Sequence, residues 1–132
     1  MVKIKFNGSR INEFNGKINP DFSGKLSIET NIEVKSLDLV ENNKEMLKAN
    51  YSFTVDYKEL GSIFIKGIIF ISSDAKTIKE LQKMKKDQLL ENEDYVFLTN
   101  IIIQKASIKA FEIEDELGLP VHIKLPSLGV KK

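Results

Sequence analysis

His122 is the only histidine among 132 residues, so no histidine pair for zinc and no histidine-rich cluster can be assembled. It stands out of phase with Val121 and Ile123, an alternation that predicts a solvated strand residue rather than a general base. No serine has the Gly-x-Ser-x-Gly setting of a nucleophile elbow. Cysteine is absent, which removes a thiolate metal site, a cysteine nucleophile and a disulfide framework together. The seven glycines are scattered singly through turns and form neither a Gly-x-Gly-x-x-Gly nor a Walker loop. Glu112, Glu114, Asp115 and Glu116 form an acidic run near a helix end, with a sign unfavourable there and no partner base in view; it reads as a solvated face or a docking surface. Lys76, Lys79, Lys83 and Lys86 recur at helical spacing as a basic stripe, but no stacking aromatics accompany them, so nucleic-acid binding is not expected. Polar groups that could do chemistry do not converge, and neither an enzyme nor a cofactor or metal site is expected.

Positioning such residues is the work of one domain spanning 1–132. A net charge of +1, with 42% hydrophobic and 30% charged residues, describes an ordinary globular chain with no electrostatic case for nucleic acid or an anionic membrane. The N-terminus alternates from the start and carries no apolar leader. No stretch approaches the ~18 apolar residues that a membrane span requires. The expected location is cytoplasmic, without membrane insertion.

Val2, Ile4 and Phe6 share one phase of an opening strand that ends near Asn7-Gly8-Ser9 or runs through a bulge to Ile11. Residues 12–25, rich in turn formers, are expected as a long loop carrying Phe14, Ile18 and Phe22, which either pin it to the core or contact a partner. Leu26, Ile28, Ile32 and Val34 line a second strand, and the polar run 41–45 connects it to a third. That third strand turns Leu47, Ala49, Tyr51, Phe53, Val55 and Tyr57 inward. Residues 63–71 are apolar on both phases, with Ile63, Ile65, Ile69 and Ile71 on one and Phe64, Ile68 and Phe70 on the other. Such a strand needs cover on both faces.

Asp74 then caps a helix containing Ile78, Leu81 and Met84, closed by Lys83, Lys85 and Lys86. After a connector at 89–94, Tyr95, Leu98, Ile102, Ala106, Ala110, Ile113 and Leu117 form one helical stripe ending at Gly118. Ile103, Ile108 and Phe111 fall off that stripe. The tail 119–128 is expected extended, because Pro120 and Pro126 disfavour helix. The fold class is therefore α+β: a four-stranded, meander-like antiparallel sheet with two helices packed on one face. Helices supply one cover for the fourth strand. The other is expected from a second copy of the chain through Phe64, Ile68 and Phe70.

From residue 63 onward the chain resembles the SecB family of export chaperones. Asn100-Ile101-Ile102-Ile103 matches the family's entry into its long helix, Ala106 a matching alanine, Leu119-Pro120 the exit, and Pro126 the second proline. The strand at 63–71 and its turn into Asp74 resemble the corresponding junction, glycine included. The resemblance implies an ATP-independent holdase, a homotetramer built as a dimer of dimers, that keeps unfolded polypeptide clients in apolar grooves. It carries client binding onto Phe14, Ile18, Phe22, Leu26, Ile28, Ile103, Ile108 and Phe111. Two departures argue against docking to the family's secretion motor ATPase. The polar sheet face mixes Glu29, Glu33 and Asp56 with Lys35 and Lys48, and the chain ends at Lys131-Lys132 without the apolar-to-acidic extension. A general or toxin-antitoxin-associated holdase fits better. The alternative is an oligomeric adaptor that binds no client; a small-ligand carrier comes third.

Overall fold

The computed structural model describes residues 2–122. Strands β1 (Lys5–Ile18), β2 (Glu29–Val40), β3 (Asn43–Asp56) and β4 (Gly61–Ser72) precede α1 (Ala75–Lys83), the single-turn α2 (Lys86–Leu89) and α3 (Glu93–Leu117). All strand pairs are antiparallel, in the order β1-β4-β3-β2. The α+β class expected from the periodicities is what is observed. Only β2, β3 and β4 run as a meander, however, and β1 adds on the far side of β4. The doubly apolar β4 thereby becomes an interior strand, and the 19–28 connection has to cross the end of the sheet.

One sheet face carries the core. The inward residues of β3 and the odd-numbered isoleucines of β4 are at most 1% exposed. Ile78 and Leu81 of α1 and Leu98, Ile102, Ala106, Ala110 and Ile113 of α3 meet them from above. α1 packs over β3 and β2, whereas α3 packs over β4, β1 and β3. Alanines at 106 and 110 are fully buried and let α3 approach the sheet closely. On the opposite face Ile68 is buried within a single chain, at 4% exposure, while Phe64 and Phe70 stay half-buried. Arg10 of β1 reaches over the Phe70 ring at 5.8 Å.

β1 is longer than expected. It runs through bulges at Phe6/Gly8 and Ile11/Glu13, so the first half of the 12–25 stretch read as a loop is strand up to Ile18. Each bulge absorbs an asparagine, Asn7 and then Asn12, and resets the phase. Phe14 and Gly16 then pair with Ile65 and Ile63, on the helix-bearing face. The β2–β3 connection is also tighter than the expected 41–45 run. Val40 pairs with Asn43 across Glu41-Asn42, and Asn42 takes a left-handed φ of 64°.

The helices end where their caps dictate. Asp74 accepts a hydrogen bond from the Thr77 hydroxyl at 2.6 Å, and that bond first of all holds its carboxyl below the usual carboxylate range. α1 stops at Lys83, and a new turn starts at Lys86 rather than continuing the first helix. The Asn92 side chain accepts from the Tyr95 amide at 3.0 Å and starts α3 at Glu93, inside the stretch expected as a connector. Gly118 closes it at φ 75°. Buried Asp94, in the first turn, accepts from the amides of Lys3 at 2.6 Å and Ile4 at 3.1 Å, tying the segment before β1 to α3. Of the tail expected to be extended, the part from Ile123 onward, with Pro126 and Leu128, lies outside the described residues.

Candidate functional site

The candidate client-contact residues divide between the two flanks of α3. On the β1 flank, Phe14 is 50% exposed beneath the Lys109 ammonium, 4.0 Å from its ring centroid. Lys105 lies in the same way over Phe6, at 5.0 Å. These lysines stand four apart on α3, so both reach the aromatic edge of β1, and the Lys109 ammonium also pairs with Glu112 at 3.1 Å. Ile108, between them in sequence, is 56% exposed. On the other flank Phe111 is half-buried and lies 5.1 Å from the His122 ring, which in turn meets Phe53 of β3 edge-on at 5.7 Å. Ile103 is also half-buried.

The connection from β1 to β2 brings the remaining candidates. Asn19-Pro20-Asp21-Phe22 forms a turn, with the Phe22 amide donating to the Asn19 carbonyl at 3.1 Å and the Asp21 amide to the Asn19 side chain at the same distance. The Asn19 amide donates to the Leu60 carbonyl at 2.6 Å, anchoring the turn to the β3–β4 corner. Ile18 and Ile28 pack partly buried against the core, Phe22 is half-buried, and Leu26 is 45% exposed; Leu26 and Ile28 precede β2 rather than lining it as expected. The ends of this connection are therefore pinned to the core, while its middle remains accessible.

Beyond these residues, Val2, Val96 and Phe97 expose apolar surface around a shallow depression at the start of α3. Val2 is expected in the opening strand, which starts only at Lys5, and Val96 and Phe97 lie off the buried stripe, where exposed apolar residues carry no signal.

A second cluster is polar and buried. Glu114 Oε2 accepts from the Tyr57 hydroxyl, from the His122 amide at 2.9 Å, and faces His122 Nδ1 at 2.7 Å. His122 Nε2 is 3.2 Å from the Ser107 hydroxyl, and the Tyr57 hydroxyl also reaches the Pro120 carbonyl at 2.8 Å. Burial first, and then the neighbouring Glu114 carboxylate, push the Tyr57 hydroxyl far above its ordinary range, which keeps it a donor. Two sequence expectations are corrected here. His122 is not a solvated strand residue; it is 8% exposed. Glu114 is not part of a solvated face; it is 1% exposed. The chain bends after Pro120, so strand alternation does not apply, and Val121 rather than His122 points outward.

Ser107, His122 and Glu114 follow the order of a hydrolase triad, but their setting does not suit one. Ser107 is 5% exposed in the middle of α3, where the backbone amides are spent on the helix and cannot receive an oxyanion. The cluster instead fastens the segment after Gly118 to α3 and β3. One signal for it was present in the sequence: Ser107 and Glu114 stand seven apart, on one helical flank with Phe111 between them. No metal-holding group of His, Asp or Glu occurs among the described residues, and none of their helices is long and apolar enough to cross a membrane.

No protein-family profile and no curated protein matches the chain by sequence. Among solved structures, it is similar to a SecB-like chaperone of Mycobacterium tuberculosis in complex with a ChAD peptide from the HigA1 antitoxin. The superposition has a TM-score of 0.63 at 11% identity and covers 95% of this chain and 88% of the other. At that identity the likeness is one of fold. The sheet, its crossing connection and its helices together give this chain a SecB-like fold.

Proposed function

We propose that this chain is an ATP-independent holdase for unfolded or non-native polypeptides. The observation that carries the reading is the exposed apolar surface along α3 and β1, led by Ile108 at 56% and Phe14 at 50% exposure. It lies on a fold whose solved neighbour was captured with a peptide. The contact residues are Phe14, Ile18, Phe22, Leu26, Ile28, Ile103, Ile108 and Phe111, on both flanks of α3 and on the connection that crosses the sheet. A client side chain burying ~100 Å² of apolar surface gains about 2.5 kcal/mol, so affinity has to come from many weak contacts. An oligomer, as a dimer of dimers, would multiply them, and the half-buried Phe64 and Phe70 beside Ile68 offer it an apolar face. The outer edge of β1 adds free backbone groups for pairing.

The open sheet face does not favour a secretion motor. Glu33 is paired with Lys35 at 3.2 Å and Glu29 with Lys58 at 3.0 Å, so its carboxylates are partly neutralised within the chain. A general or toxin-antitoxin-associated role is the better reading. The test is suppression of aggregation of a slow-folding client by wild type and by a variant with Phe14, Phe22 and Phe111 all changed to Ser. Suppression should be lost while circular dichroism stays native. Full suppression by the folded variant would refute the assignment. The competing reading, an oligomeric adaptor without clients, is favoured by the apolar face around Phe64 and Phe70, and a stable oligomer that holds no unfolded chain would establish it.

A further inference from the structure

A second groove opens where the tip of the β2–β3 hairpin meets α1, away from both flanks of α3. Leu39, Lys44, Ala75, Lys76, Ile78 and Lys79 line it, and its volume is about 530 Å³. That lies inside the range of ~300–1,000 Å³ usual for ligand sites. Its floor is apolar, since Ile78 is 1% exposed as part of the core and Leu39 stands 43% exposed beside it.

Every charged side chain in the lining is a lysine. Among the described residues no carboxylate pairs with Lys44, Lys76 or Lys79. Three cations around one apolar floor repel each other, and an anion from outside relieves that repulsion. Lys76 and Lys79 belong to the basic stripe that the client-binding reading leaves unused.

We propose that this groove docks a segment of a partner protein in which aliphatic anchors are flanked by Asp or Glu. Two other occupants fit less well. A fatty acid brings one carboxylate to three lysines. A second copy seated through α1 sets Lys76, Lys79 and Lys83 of each helix against the same stripe of the other. The proposal is independent of client holding, because the groove shares no residue with the proposed client surface.

The test uses a short fluorescein-labelled peptide with two leucines set among glutamates, followed by anisotropy on the full chain. Saturable binding is expected, weakened by added salt and about tenfold weaker, ~1.4 kcal/mol, in K44Q/K76Q/K79Q. A matched peptide with lysines in place of the glutamates should not bind at the groove, whereas a promiscuous client surface takes both. Leu39→Asp, at an exposed position, should weaken binding as much and carries the test if the triple variant does not fold. Undiminished binding in both variants overturns the proposal. So does loss of binding in Phe14→Ser/Phe111→Ser, which would place the peptide on the α3 surface. Dodecanoate binding that requires these lysines, with no binding of the acidic peptide, would make the groove a small-molecule site instead. A dimer that the lysine substitutions dissociate or strengthen, with no peptide bound, would make it a self-association face.

Discussion

Glu114 shows how much one side chain can fasten. Its Oε2 takes hydrogen bonds from Tyr57 and from the backbone of His122 and faces the imidazole, while Oε1 has no partner among the described residues. Removing the carboxylate strands several buried groups at once. Glu114→Ala is therefore expected to cost roughly 3 kcal/mol, measured as a lowered urea midpoint at unchanged slope. A loss below about 1 kcal/mol would show that the cluster contributes little to stability. Tyr51 is the opposite case. Its hydroxyl is buried without a partner among the described residues, and burial raises its pKa above the ordinary value. The ring lies across Gly67, where an added Cβ would come within 2.7 Å of the hydroxyl oxygen. Tyr51→Phe removes an uncompensated polar group, so the thermal midpoint should hold or rise. A clear drop would mean that the hydroxyl has a partner after all.

Among the elements, β1 depends most on where its small residues fall. A Cβ on Gly16 would lie 2.6 Å from both Ile113 Cγ2 and Leu117 Cδ1, so the C-terminal half of α3 closes on the edge strand only because a glycine is there. Both neighbours are side-chain ends that can yield in part. Gly16→Ala is expected to destabilise by about 1–3 kcal/mol through overpacking. Gly8, in the same strand, has nothing within 4 Å of the added atom, so Gly8→Ala serves as a near-neutral control in the same chemical-denaturation series. Equal effects at the two sites would point to backbone entropy rather than packing as the cause.

For the whole molecule, assembly is a matter of the second face of β4. Ile68 is covered within the chain, which leaves Phe64 and Phe70 as the apolar remainder of that face. If copies assemble there, Phe64→Ser/Phe70→Ser should lower the mass seen by sedimentation while the fold is kept. An unchanged mass would move the interface elsewhere, with the free edge of β1 as the next candidate. Measuring client holding on the same variant would separate assembly from client contact. Loss of mass with suppression retained per chain would assign the two roles to different faces.

Alternation in β3 and β4 and the stripe on α3 were local properties, and the amino-acid sequence determined them alone. Leu47 to Tyr57, Ile63 to Ile71 and Leu98 to Ile113 are buried in the phases their spacing requires. The caps at Asp74 and Gly118 were equally legible, because each acts on its own neighbours, whereas Asn92 sat unread in the expected connector. Strand order was not, since pairing β1 with β4 joins residues far apart in the chain and leaves no periodic trace. The bulges in β1 hid its second half for a related reason: each adds one residue, which resets the phase and makes a strand read as a loop. Tertiary structure alone decided that Glu114 and His122 are buried. Their spacing fits a solvated face, and only the bend after Pro120 brings the imidazole back beneath Phe111, against a carboxylate that no local rule pairs with it.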